Sequence, residues 1–142
     1  MATNTFDRGP AAEISAGNRN LSTVDYPANS SAVLAVTAIG PTGAKAPFAS
    51  YGSDVDFAMP GTDVLGAHPR APSGLARWSG TSFSTALATG AFAVMRGRDP
   101  VGTADGLFGR LLDTATSVDA LNPAYAGKLG RGRVDLGAAT AP

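Results

Sequence analysis

The sequence predicts an α/β fold in which a mostly parallel sheet is covered by helices. Three observations carry this. Residues 32–39 form a continuous apolar run, Ala-Val-Leu-Ala-Val-Thr-Ala-Ile, with a high β-branched content. Such a run suits a strand buried on both faces. Residues 82–95 contain no Asp, Glu, Lys or Arg and are built from small and apolar residues. They read as a helix buried on most of its sides. Strand-like and helix-like segments then alternate along the chain.

The elements follow in order. Residues 1–12 are polar, broken by Gly9-Pro10, and read as a loose lead-in to a domain over 13–142. Ile14-Ser15-Ala16-Gly17-Asn18 ends a short strand at a glycine turn. The 32–39 strand stops at Gly40-Pro41, and a second short strand over 55–59 stops at Pro60-Gly61. Residues 62–79 hold two short pieces around His68-Pro69-Arg70-Ala71-Pro72-Ser73-Gly74, suiting a hairpin or an irregular loop. The apolar helix extends to Arg96, with Arg96 and Arg98 near its negative end. A second helix over 103–114 puts Leu107, Leu111 and Ala115 on one stripe. Residues 130–136 close the chain as a turn and a short element, with Arg131, Arg133 and Asp135 alternating on an exposed face.

Composition narrows the function. The 142 residues suffice for one domain with a real core. Eleven basic and eleven acidic residues give zero net charge, which argues against nucleic acid or a membrane surface as partner. Charged residues make up 15% of the chain, against a usual ~25%, so the chain has much interior for its size or belongs to something larger. With no cysteine there is no disulfide, thiolate or cysteine-ligated metal chemistry, and the compartment stays open. No stretch reaches the ~20 apolar residues of a membrane span, and residues 1–7 show no basic-then-apolar signal pattern.

Ser82 is the first chemical candidate. A hydroxyl at the mouth of a helix is most simply an N-cap. Two features point further. No Glu or Gln stands three residues on to complete a capping box. The helix is also too apolar for an ordinary surface helix, and its positive end suits a nucleophile. Ser84 stands where a Gly-x-Ser-x-Gly elbow would have its last glycine, so that motif is absent.

Six segments in order then resemble the subtilases, the subtilisin-like serine proteases. Gly80-Thr81-Ser82-Phe83, followed by small residues and Gly90, looks like that family's nucleophile motif. Ser15-Ala16-Gly17-Asn18 resembles its Ala-Ala-Gly-Asn segment, and Tyr26-Pro27 with residues 33–38 the strand that follows. Phe48-Ala49-Ser50-Tyr51-Gly52 and Ala58-Met59-Pro60-Gly61 resemble two of its turns, and residues 130–135 its closing Gly-x-Gly-x-Val-Asp. The resemblance covers 14–139 and implies a three-layer αβα fold with a mostly parallel sheet, present as its C-terminal half. It implies serine endopeptidase chemistry on peptides or proteins. Ser82 is the implied nucleophile and Asn18 the oxyanion donor, with Ser15, Ala16, Gly17 and Thr81 lining the substrate site. No cofactor is required on this reading, although a structural calcium or sodium at Asp56 is implied, held with carbonyls of the loop after Pro27. A cis Tyr26-Pro27 bond is implied too; an ordinary trans turn is the alternative.

The departures are as informative. A serine nucleophile needs a general base. The one histidine, His68, lies in a Pro-Arg loop rather than in the family's His-Gly-Thr motif, and no Asp sits in its Asp-Thr/Ser-Gly motif. His68 reads as a surface-loop residue. The catalytic Asp and His are therefore expected from outside this sequence. Gly9-Pro10-Ala11-Ala12-Glu13 also replaces the apolar entry expected of a central strand, suggesting a recombined, frameshifted or decayed junction. Asp54 and Asp56, two apart, read first as solvated residues at a strand edge. Three readings stay open: a gene fragment, a half-domain complemented in trans by an N-terminal half, and a non-catalytic peptide-binding module.

Overall fold

The computed structural model describes residues 12–141. Its sheet has three parallel strands in the order β1-β2-β3: β1 (Ala12–Ser15), β2 (Val33–Ile39) and β3 (Phe57–Pro60). The register pairs Ser15 with Val36 and Val36 with Phe57. β2 is the central strand, and six of its seven residues are fully buried, as its unbroken apolar run requires. The lead-in expected over 1–12 lies almost wholly outside the described residues, and Ala12 already belongs to β1. Glu13 is accommodated in β1 because its carboxylate sits at the surface and accepts from Thr89 Oγ1 at 3.2 Å.

Alternation along β2 sends Leu34 and Val36 to one face and Ala35 and Thr37 to the other. The first face carries the main core. There Phe57 and Met59 of β3 meet Ala88, Ala91 and Met95 of α1 (Thr81–Arg98) and Leu107, Phe108 and Leu111 of α2 (Ala104–Asp113). Each large apolar side chain buried here contributes about 1.5–3 kcal/mol. On the opposite face Ala16, Val24, Ala28, Ala35 and Val55 pack together, so loop segments rather than helices cover it among the described residues. The αβα arrangement is thus incomplete: one helical layer, one sheet, and loops on the far side.

Residues 62–79 form an antiparallel hairpin of β4 (Val64–Ala67) and β5 (Leu75–Trp78). Its apolar side chains Leu65, Leu75 and Trp78 are exposed. α2 is shorter than expected and is capped by Thr103, whose side chain accepts from Gly106 N. Leu107 and Leu111 form its buried stripe with Phe108, whereas Ala115 lies past the helix end. α1 corrects a firmer expectation. Only Thr81, Ser84, Ala88, Ala91 and Met95 are buried, one stripe of the helix. Leu87 and Val94 remain 39% and 49% exposed, because no other described segment packs on that side.

The chain closes tightly on β3. Gly130, at φ +63°, brings its backbone against Asp56; a Cβ there would stand 2.1 Å from the Asp56 carbonyl oxygen. Arg131 N donates to that same carbonyl at 2.8 Å. Residues 131–135 do not form the expected strand. Arg133 makes isolated bridges to Ala58 and Thr116, and Asp135 caps the short α3 (Leu136–Ala139). The Tyr26-Pro27 bond is cis.

Two glycines give opposite expectations. Gly130→Ala should cost about 2–4 kcal/mol through backbone clash and positive φ. Gly90→Ala, on the open side of α1 with nothing within 4 Å, should add about 0.5–1 kcal/mol by helix propensity. Urea unfolding midpoints check both; a Gly130→Ala chain as stable as the parent would show that the closing turn does not lie on β3.

Candidate active site

The site forms where the C-terminal ends of β1 and β3 meet the N-terminus of α1. Its centre is a helix end capped from outside. Gly80 occupies the N-cap position and has no side chain to offer. Asn18 supplies the cap: its Oδ1 accepts from Thr81 N at 2.9 Å and from Thr81 Oγ1 at 2.9 Å. A backbone N–H can only donate, so the carboxamide oxygen must face the helix. The Asn18 amide nitrogen is therefore turned away, toward Gly80; a Cβ on Gly80 would stand 3.6 Å from Nδ2. Ser82 follows in the first turn and is exposed. It is not the N-cap, so the simplest reading of its hydroxyl does not apply.

The loop carrying Asn18 is itself held. Gly17, at φ +106°, accepts at its carbonyl from Ser50 N at 2.9 Å, and a Cβ there would meet Ser50 Oγ at 3.3 Å. Asn20 N donates to Phe48 O at 2.8 Å, and Tyr51 N to Leu21 O at 2.9 Å. Lys45 pins the same loop from below. Its ammonium donates to Asn20 Oδ1 at 2.8 Å, Ala46 O at 3.0 Å and Ala49 O at 2.7 Å. It also lies 5.1 Å from the Tyr51 ring centroid and 4.7 Å from that of Tyr125. Burial lowers its pKa from the ordinary lysine value; the three acceptors and two ring faces stabilise the charge against that. No sequence pattern singles out Lys45, because its partners lie in separate loops.

The helix end is fixed against β3 as well. Gly80 N donates to Gly61 O at 2.8 Å, and Ser84 Oγ donates toward Met59 O and Pro60 O, each at 3.2 Å. Ser15 and Thr81 are brought together across the site, their hydroxyl oxygens 2.6 Å apart. Ala16 is buried against the far face of the sheet. Of the residues expected at the site, Ser15, Gly17, Asn18, Thr81 and Ser82 converge, while Asp56 lies elsewhere.

His68 is in the β4–β5 turn. Its Nδ1 accepts from Arg70 N at 3.2 Å, and its ring lies 5.2 Å from Trp78, which stacks on Phe83 at 5.8 Å. Two ring-to-ring steps thus separate it from the residue beside Ser82, and it is a loop histidine as expected.

Asp56 departs from the strand-edge expectation. It precedes β3, and its carboxylate accepts from Ala35 N at 2.7 Å. Its pKa is raised to about 6, chiefly by burial, with the Ala35 hydrogen bond opposing and the Asp54 charge adding. Asp54, Asp56 and the loop residues Ala28, Asn29, Ser30 and Ser31 line one cavity of about 450 Å³. No cluster of three or more His, Cys, Asp or Glu side chains capable of holding a metal exists among the described residues. Carboxylate ligands suit a hard alkali or alkaline-earth cation, not a transition metal, and Arg131, which lines the same cavity, is a competing positive charge there.

Comparison with known proteins shows the family and the fold. The family model described as the Subtilase family matches residues 3–132. The chain is 32% identical over 133 residues to Subtilisin BL of Lederbergia lenta, covering 94% of this chain and 47% of that protein. It is 33% identical over 124 residues to an alkaline proteinase of Hapsidospora chrysogena, covering 86% of this chain and 31% of that one. Among solved structures, the prenylagaramide maturation protease PagA superposes with a TM-score of 0.77 at 27% identity, covering 92% of this chain and 49% of its own. The patellamide maturation protease PatA superposes at 0.76 and 33%, covering 89% and 48%. The chain therefore spans half or less of the length of these relatives. The family model and these identities show that the chain belongs to the subtilase family.

Proposed function

We propose that this chain is the nucleophile-bearing half of a serine endopeptidase site. The observation that carries the reading is the capping of α1 by Asn18, which turns Asn18 Nδ2 toward Gly80 at the helix end that carries the exposed Ser82. In acyl transfer the Ser82 Oγ would bond to the scissile carbonyl carbon, and its proton would pass to a general base and then to the departing amine. Water would hydrolyse the resulting ester. Negative charge develops on the carbonyl oxygen, and each fixed donor aimed at it is worth about 3–4 kcal/mol of barrier. Ser15 and Gly17 would form the wall beside the scissile bond; Ala16, expected there too, packs on the far face of the sheet, and Thr81 is buried behind Ser15.

The base and its orienting acid come from a complementary half on this reading, in the same polypeptide or in trans. Two surfaces favour such a partner. β1 pairs only with β2 among the described residues, so its other edge is open to a further strand. The exposed side of α1 lines an apolar groove of about 430 Å³, with Leu87, Gly90 and Val94 facing Met59, Pro60 and Leu136. Exposed apolar surface of this kind marks an interface.

A weak calcium or sodium ion beside Asp56 is part of the same proposal. Bound there, it would offset the charge of Asp54 and Asp56 and tie the 28–31 loop to the start of β3.

Two tests follow. A fluorophosphonate probe should leave Ser82 unlabelled in the isolated chain and label it once a segment carrying the His-Gly-Thr and Asp-Thr-Gly motifs is co-expressed; mass spectrometry of the purified chain reads this. Labelling of Ser82 in the isolated chain would show that a base is already present. For Asp56, the folded state holds the proton more tightly than the unfolded chain, since about 6 lies above 3.8. Its contribution to stability therefore falls as pH rises from about 4 to about 6. Asp56→Asn keeps an acceptor for Ala35 and should gain about 1–3 kcal/mol at pH 7.5, with the gain vanishing near pH 4. Calcium or sodium should raise the melting temperature of the parent at pH 7.5 and not that of the variant; an equal response in both would remove the cation from Asp56.

A further inference from the structure

The hydroxyls at the head of α1 form a chain whose direction can be deduced. Thr81 N can only donate, which fixes Asn18 Oδ1 as its acceptor. Thr81 Oγ1 lies 2.9 Å from the same Oδ1, so it too must donate there. A threonine hydroxyl has one proton. The contact of 2.6 Å between Ser15 Oγ and Thr81 Oγ1 must therefore be a bond donated by Ser15.

We infer that Ser15 is a positioning residue: by donating to Thr81 it polarises the Thr81 hydroxyl toward Asn18 and so helps hold the Asn18 carboxamide with its nitrogen turned toward Gly80. This rests on reading Asn18 as the oxyanion donor. Ser15 is well placed for the task. Parallel pairing sets it opposite Val36, and Ala16 N donates to Val36 O at 2.9 Å. Strand alternation then points Ser15 toward α1 while Ala16 packs on the opposite face. Thr81 is fully buried and backed by its helix, where Thr85 Oγ1 donates to its carbonyl at 2.9 Å. A buried hydroxyl must find its partners within the protein, and among the described residues only Ser15 donates to Thr81 Oγ1. Without Ser15 that hydroxyl keeps its bond to Asn18 but loses its donor, leaving a buried lone pair unpartnered. Hydrogen bonds in such a chain also strengthen one another. The Ser15 proton is then unavailable to a substrate in the adjoining pocket; only its lone pairs remain.

The test is nuclear magnetic resonance of the 15N-labelled chain, read at the Asn18 side-chain amide. Ser15→Ala should shift this pair of signals and make the Asn18 side chain more mobile, its hold on Thr81 weakening by up to about fivefold, the scale of one lost hydrogen bond. Ser15→Thr should restore the parent signals, and Ser15→Cys, close in volume and a weak donor, should fall between. Backbone amides of β2 and β3 report whether each variant is folded. Asn18 signals unchanged in folded Ser15→Ala or Ser15→Cys would overturn the inference, as would failure of Ser15→Thr to restore them. Ser82→Ala should leave the Asn18 signals in place, so this outcome is independent of whether Ser82 proves to be a nucleophile.

Discussion

The capping of α1 by Asn18 is the contact on which the rest of the site depends. One carboxamide satisfies two donors of Thr81 and joins a loop to a helix across 63 residues of sequence. Because the N-cap residue is Gly80, the helix has no cap of its own. The loop therefore cannot drift without exposing an unsatisfied helix end, and the helix cannot tilt without breaking the cap. The Asn18 carboxamide, proposed as an oxyanion donor, is held in place by the same bonds that hold the helix end.

Around this contact the chain builds supports in layers. β1 and β3 end beneath the site, and Gly61 and Ser84 tie the end of β3 to the helix. Lys45 anchors the Asn18 loop from inside, a charged group held by three acceptors and two aromatic faces. Such a group stabilises only when fully partnered, which explains why so many loop carbonyls converge on it. Everything needed to place Ser82 and Asn18 is thus in this chain. His68 lies across an aromatic stack in the hairpin turn. On the proposed reading, placement and activation are divided between this chain and a complementary half.

Much of this was legible in the sequence, for identifiable reasons. The 32–39 strand was readable because burial on both faces demands an unbroken apolar run. The hairpin over 62–79 was readable as one of two options, through its proline and glycine turn. Ser82 and Asn18 were readable only through the order of six family-like segments, since a lone Gly-Asn or a lone helix-start serine is ordinary. The exposure of α1 was not readable. An apolar helix signals that something covers it, and sequence does not say whether the cover lies in the same chain. Asp56 looked like a surface carboxylate because its two-residue spacing from Asp54 says nothing of the Ala35 N–H it caps. The Ser15–Thr81 bond, between residues 66 apart, left no local pattern at all.

The central claim is that the oxyanion cradle is already formed in this chain before any base is supplied. The most direct measurement is the scalar coupling transmitted through the hydrogen bond between the Thr81 amide nitrogen and the Asn18 carboxamide carbon. A resolved coupling, with Asn18 in a single side-chain rotamer, is the predicted result for the isolated chain. An absent coupling with an averaged Asn18 rotamer, in a chain whose sheet is otherwise intact, would contradict the account.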